Sequence, residues 1–310
     1  GNTLFGYLAG EDIADTGTNN TLIGHGAGKE ITTGSNSVII GKTAGDATID
    51  SGSHVLIGAS AGGNGDISTD GIVAVGYLAL NALTSGSGNT AVGYQSGSSQ
   101  SHASSNNNVF MGYQSSVGGT GNRNNSVAIG YRAWGNGGSA SAFGGAENVF
   151  IGSLSGNGTW DIGASDGNTA VGYGTMAGAM NAAANNTAMG KNALAALTLG
   201  DNNTAIGQDA GVAITTGGDN TVMGALAGDA ITTGHDNVFM GRHAGGATQD
   251  VGHAVIIGQG AGGGVITAAA DGTVALGASS LAALTTGASN TVVGYQAGDA
   301  LTTGYENTVL

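Results

Sequence analysis

One phrase of seventeen residues governs the chain. It runs from Asn290 to Glu306 as Asn-Thr-Val-Val-Gly-Tyr-Gln-Ala-Gly-Asp-Ala-Leu-Thr-Thr-Gly-Tyr-Glu and begins again at Asn307. Earlier copies open at Asn20, Asn186, Asn203 and Asn220. The glycine that closes Asn-Thr-x-apolar-Gly can be followed from Gly6 to Gly294 at intervals of 17 to 19 residues, broken only by 22 between Gly130 and Gly152 and 20 between Gly152 and Gly172. A fixed period of this size is the mark of stacked repeats, each unable to bury its own apolar face and each touching only its neighbours. Residues 1–310 therefore read as a single repeat array with an irregular insertion over 133–172. Both ends fall inside the phrase, which reads as a fragment of a longer protein.

The apolar residues say which element repeats. Before each marker glycine stands a bulky apolar residue, and two positions earlier a Thr or Val, as in Thr291 and Val293 or Val38 and Ile40. In an extended strand these two share a face, which suits β-branched side chains. The residue between them is apolar as well, so both faces of the strand call for burial. A seventeen-residue coil has room for a second short strand, expected at phrases such as Ile31 to Gly34 and Leu301 to Gly304, which would cover one face. The other face would need a second copy of the chain. On this reading Thr291 and Val293 fill the coil interior, while Phe110, Phe150, Val222, Phe239, Ile256 and Val292 pack between chains. The expected fold is all-β, a parallel β-helix or β-roll solenoid with a period of about 17 residues, assembled as a homotrimeric fibre. The 63 glycines occur without proline and without a Gly-X-Y period, which excludes collagen.

Several function classes fall away on composition. A net charge of −14 with only six Lys and Arg argues against nucleic acid or an anionic membrane surface as partner. The apolar runs are a few residues long, far short of the roughly 20 that a membrane helix needs. Without cysteine there is neither a disulfide framework nor a thiolate metal site. Gly41-Lys42-Thr43 evokes a phosphate loop, but the glycine required five residues before Gly41 is Asn36. The histidines, among them His25, His54, His235, His243 and His253, do not pair at ligand spacing along the sequence, although stacked coils could bring some together. Acids are scattered at turns, with no paired carboxylates or nucleophile and base within one coil. No catalytic residue, metal or cofactor is expected, and the chain reads as non-enzymatic. The Asn-x-Ser/Thr sequons at Asn19, Asn124, Asn157, Asn185 and Asn202 arise from the repeat itself.

Two stretches depart from the plain repeat. From Gly71 to Ala146 there is no acidic residue, and four successive coils place Tyr77, Tyr94, Tyr113 and Tyr131 directly after the marker glycine, beside Gln95, Gln114 and Arg132. A neutral surface of Tyr, Gln, Asn and Ser suits stacking and hydrogen bonding with a sugar; stacked tyrosines also simply stabilise adjacent rungs. In the insertion, an off-register Ser141 to Gly144 phrase appears together with both tryptophans, Trp134 and Trp160. Loops raised from a regular scaffold often carry binding function, and large aromatics also cap imperfect stacks. The six aromatic residues Tyr77, Tyr94, Tyr113, Tyr131, Trp134 and Trp160 are the candidates for contact with a glycan or receptor.

The phrases Asn125-Ser-Val-Ala-Ile-Gly130 and Asn89-Thr-Ala-Val-Gly-Tyr-Gln95 resemble the head repeats of trimeric autotransporter adhesins. With the trailing Leu-Thr-Thr-Gly they are more similar to repeats of bacteriophage tail-fibre proteins. The resemblance covers essentially the whole chain, although adhesin heads of this type use a shorter coil. It implies a trimer of parallel β-coils serving as an adhesive shaft, extracellular and part of a virion fibre. The alternatives are a bacterial surface adhesin or extracellular filament and, from another class, an ice-binding solenoid. Against the last, Thr32-Thr33 is not the Thr-x-Thr of a flat array.

Overall fold

The structure is a computed structural model that describes every residue of the chain except 49, 64, 66, 99–104, 118–122, 136–144, 160–164 and 268–269. The Ser141 to Gly144 phrase and Trp160 lie outside the described residues. The chain is an all-β solenoid divided into two compact units, Gly1–Ala164 and Ser165–Leu310. The first unit carries β1 (Thr3–Phe5) through β9 (Val149–Ile151) and the second β10 (Thr169–Val171) through β18 (Thr308–Val309), one short strand per repeat. Within each unit the strands pair in parallel and in phase, so that Thr21, Leu22 and Ile23 lie against Val38, Ile39 and Ile40, and Thr204, Ala205 and Ile206 against Thr221, Val222 and Met223. Backbone hydrogen bonds continue from coil to coil through the turns, as in Gly26 N–H to Tyr7 O and Thr43 N–H to His25 O, both 2.8 Å.

Among the described residues the second strand expected per coil does not form. At the Ile214 to Gly217 phrase the N–H groups of Thr215, Thr216 and Gly217 all converge on the single carbonyl of Thr232, at 2.9 to 3.3 Å. That is a turn, in which three donors share one acceptor, where a ladder would use each group once.

The strand is also turned about relative to expectation. Phe110, Phe150, Val222, Phe239, Ile256 and Val292 are completely buried within a single chain and are not available for packing between chains. The residues that flank them, such as Thr21 and Ile23, are the half-exposed ones. The reason is geometric: a three-residue strand presents one side chain to one face and two to the other. A seventeen-residue coil encloses a core only one strand residue deep, so the single central side chain goes in. Turn residues complete each layer, as Ala27 and Ile31 do beneath Leu22 and Ala227 and Ile231 beneath Val222.

In most coils core volume is conserved by a paired exchange six residues apart. Where the central strand residue is large the sixth residue after it is mostly glycine: a methyl group on Gly156 would lie 2.5 Å from Phe150 Cδ1, and one on Gly62 3.2 Å from Leu56. Three coils depart from this, since Ser116 follows Phe110 and glycine follows the small Ala91 and Ala205, where Leu80 and Leu194 of an adjacent coil lie against Gly97 and Gly211. Where the centre shrinks to Ala74, Ala128, Ala170, Ala188 or Ala275, the sixth residue becomes Leu80, Trp134, Met176, Leu194 or Leu281, each buried. These large residues hold a left-handed backbone, with φ of 47° to 50°. That conformation costs about 1–2 kcal/mol for an L-residue, and the apolar burial it permits contributes a comparable or larger gain, about 1.5–3 kcal/mol.

Candidate functional site: a stacked tyrosine ladder

The direction of the strand decides where the next side chain points. With the central residue inside and the residue before the marker glycine outside, alternation turns the residue after the glycine outward again; Gly76, Gly93, Gly112 and Gly130, with φ between 127° and 138°, end the strand at that point. Tyr77, Tyr94, Tyr113 and Tyr131 consequently stand exposed on one edge of the first unit. Their ring centroids are 5.2, 5.1 and 5.6 Å apart in order, with interplanar angles of 27°, 6° and 14°. The spacing is that of the coils, since ring stacks form most easily where parallel strands repeat in register about 4.8 Å apart. Beside the rings, Gln114 Nε2 donates to Gln95 Oε1 at 2.8 Å. The ladder is a column of exposed tyrosines whose rings stack on one another, bordered by amide groups, in a stretch without acidic residues.

Trp134 is not part of this surface. It is buried, as the large partner of Ala128 in the core exchange, with its ring 5.4 Å from that of Phe150. Arg123, itself buried, lies with its guanidinium carbon 4.5 Å from the centre of the Trp134 ring and donates from Nη1 to Ser116 Oγ at 2.6 Å. Burial lowers the Arg123 pKa to about 10, which leaves it charged at neutral pH, facing the negative π cloud of the indole. The signal that would have placed Trp134 inside is in the sequence: Ala128 stands six residues before it. Of the six aromatic candidates, the structure therefore brings four together, buries one, and leaves Trp160 outside the described residues.

The Asn that opens each phrase proves to be structural as well. Asn186, Asn203, Asn220 and Asn237 are buried in a column, the Oδ1 of each of the first three accepting from the backbone N–H and Nδ2 of the next, and that of Asn237 from the Ala254 N–H. His54 takes this position in its own coil. Its Nδ1 accepts from the Ile72 N–H at 3.3 Å and its Nε2 meets Ser51 Oγ at 3.0 Å. Burial pushes its pKa down, holding the ring neutral as this bonding requires. Among the acids, Asp46 and Asp229 are raised, first by burial. Asp50 and Asp250 are lowered, each first by the hydroxyl of a threonine one coil away, Thr32 and Thr232. Lys42 stands directly after marker Gly41, in the exposed column, and Thr43 has a left-handed φ of 50°, so this segment forms the repeat's ordinary turn.

Comparison with family models, with curated proteins and with solved structures gives no match to this chain. No described helix is long and apolar enough to cross a membrane.

Proposed function

We propose that the chain is a structural and adhesive fibre segment, a stiff shaft built by self-association, of the extracellular virion-fibre kind that its repeat resembles. The observation that supports this reading is the outer strand face. In the first unit Ile23, Ile40, Ile57, Val75 and Val92 form a half-exposed apolar row alongside a parallel row of Thr and Val. In the second, Ile206, Met223, Met240, Ile257 and Leu276 do the same. An apolar stripe along successive rungs exceeds the scattered hydrophobic residues of an ordinary surface and fits another copy of itself. Three copies is the number the resemblance implies. The geometry serves a bacterial surface adhesin equally, and the flanking sequence, an anchor or a signal segment, separates the two.

The native chain should have a solution mass near three times its 29.6 kDa by light scattering. Ile40→Asp combined with Ile57→Asp, and Ile206→Asp combined with Met223→Asp, should shift it toward monomer while the circular dichroism of each coil persists. A native chain that runs as a clean monomer at all concentrations sinks the reading.

Within this fibre the tyrosine ladder is the attachment surface we assign, with a neutral glycan as its ligand class. Tyr113 has a stacked ring on each side, so Tyr113→Ala should cost about 1–3 kcal/mol of stability from two lost pairs. Paired with Tyr94→Ala it should also abolish binding on a glycan array. Retained glycan binding with lowered stability would leave the ladder purely structural.

A further inference from the structure

Stacking gathers residues that the sequence keeps apart, and at one exposed corner of the second unit it gathers metal-binding groups. Asp236 and His253 occupy the same position in consecutive coils, both with left-handed backbone, φ 57° and 56°. The His253 N–H donates to the carbonyl of His235 at 3.1 Å, which locks the two coils together at this point. His235 Nδ1 lies 2.8 Å from Asp236 Oδ2, and His253 Nε2 lies 3.8 Å from the same oxygen. The two imidazole rings meet edge to face with centroids 5.2 Å apart. One ligand atom from each of the three residues falls within 4.8 Å of the others.

A fourth group approaches from the next coil. The residue above His235 in its column is Gly252, whose lack of a side chain leaves a gap: a methyl group there would sit 3.5 Å from His235 Nε2 and 3.6 Å from Asp271 Oδ2. Asp271 is fixed in place, since its Oδ1 accepts the Gly252 N–H at 2.8 Å.

We propose that this corner binds one divalent transition-metal ion, Zn²⁺ or Cu²⁺, through the imidazoles of His235 and His253 and the carboxylate of Asp236, with Asp271 as a second carboxylate beside it. Tetrahedral ligands at about 2.0–2.2 Å from a metal are roughly 3.3–3.6 Å from one another. The observed separations bracket that value, so side-chain rotation alone closes the site while the backbone ladder holds the Cα positions. Two neutral imidazoles and two carboxylates balance the charge of the ion. Nitrogen donors select zinc and copper over calcium and magnesium, which take oxygen. Elsewhere, the His25 ring lies tilted against that of Tyr7 and His54 is committed to the core. Among the described residues this is the one set of three such groups. An ion here would clamp two successive coils on the outside of the solenoid.

The test is titration of the untagged full chain with ZnCl₂ and CuCl₂ by isothermal calorimetry, with CaCl₂ and MgCl₂ as comparisons. One saturable site is expected for zinc and copper and none for calcium or magnesium. His235→Ala and His253→Asn should each weaken it by about tenfold or more; Asn accepts the left-handed backbone, so the second variant keeps the fold. His243→Ala should leave it unchanged. In the native chain, substoichiometric Zn²⁺ should move the imidazole NMR signals of His235 and His253 together and leave those of His25 and His54 in place, a readout that needs no variant. Absence of saturable zinc and copper binding, equal binding by calcium, or unchanged affinity in the two variants overturns the proposal.

Discussion

Gly207→Ala is expected to destabilise the second unit by about 4 kcal/mol, the sum of a glycine-only backbone conformation and a steric clash, each worth roughly 1–3 kcal/mol. Gly207 has φ 140°. A methyl group on it would lie 2.5 Å from the carbonyl oxygen of Gly224 in the next coil and 2.6 Å from its carbonyl carbon. Backbone cannot rotate away as a side chain can, so the two coils must part, and the parting breaks the bond from Gly224 N–H to Ile206 O, at 2.7 Å. Because each coil leans only on its neighbours, the damage should be local. Hydrogen exchange should quicken around residues 204–226 and hardly change near the far end of the unit. Gly263→Ala is the control: its φ is not in the left-handed region, the residue is exposed, and its methyl would find nothing nearer than 3.2 Å. Denaturant unfolding should place it within about 0.5 kcal/mol of the native chain. Equal stability of the two variants would mean that the marker glycine is not the constraint the stacking makes it.

The period, the strand and its parallel stacking were legible because they depend on spacing alone. The direction of the strand was not. Thr291, Val292 and Val293 are all apolar or β-branched, so their pattern carries no polar side to mark the solvent. What decides is how many side chains a narrow coil encloses, a quantity the residue types do not state. The exchange that put Trp134 in the core could have been read from Ala128, but only with positions six apart compared across coils. The tyrosine column was visible as residue types; its exposure follows from the direction of the strand, which puts Ala74, Ala91, Phe110 and Ala128 inside and the residue three positions later outside. His235, Asp236 and His253 were hidden for another reason, since ligand spacing is sought within a helix or strand and here it runs across the stack. The second strand expected at phrases such as Ile31 to Gly34 is replaced by a turn, and at the Ile214 to Gly217 copy three N–H groups are satisfied on the one carbonyl of Thr232 without a ladder.

Asn220→Ala should cost the second unit about 4 kcal/mol as well, for a different reason. The Asn220 side chain is buried and makes four hydrogen bonds. Nδ2 donates to Asn203 Oδ1 at 3.0 Å and to Gly234 O at 2.8 Å, while Oδ1 accepts from Asn237 Nδ2 at 2.9 Å and from the Asn237 N–H at 3.2 Å. Truncation does not orphan all the partners. Asn203 Oδ1 keeps the Asn220 N–H at 3.1 Å, and Asn237 Nδ2 keeps the Val251 carbonyl at 2.7 Å. The Asn237 N–H and the Gly234 carbonyl lose these bonds inside the protein, and a buried polar group left unsatisfied costs roughly 1–3 kcal/mol. Asn220→Asp separates bonding from shape. It keeps the acceptor for Asn237 but removes the donor to Gly234 and places a carboxylate against that carbonyl and Asn203 Oδ1. Burial against those oxygens raises its pKa in the folded state above that in the unfolded chain, so its stability should recover as pH falls toward the ordinary carboxylate range and be fully recovered below it, whereas that of Asn220→Ala should show no such recovery relative to the native chain. Chemical denaturation of the two variants between neutral and acid pH checks this. If Asn220→Ala unfolds within about 1 kcal/mol of the native chain, well short of two unsatisfied groups, the asparagine column is a consequence of the stacking and does not help to hold it.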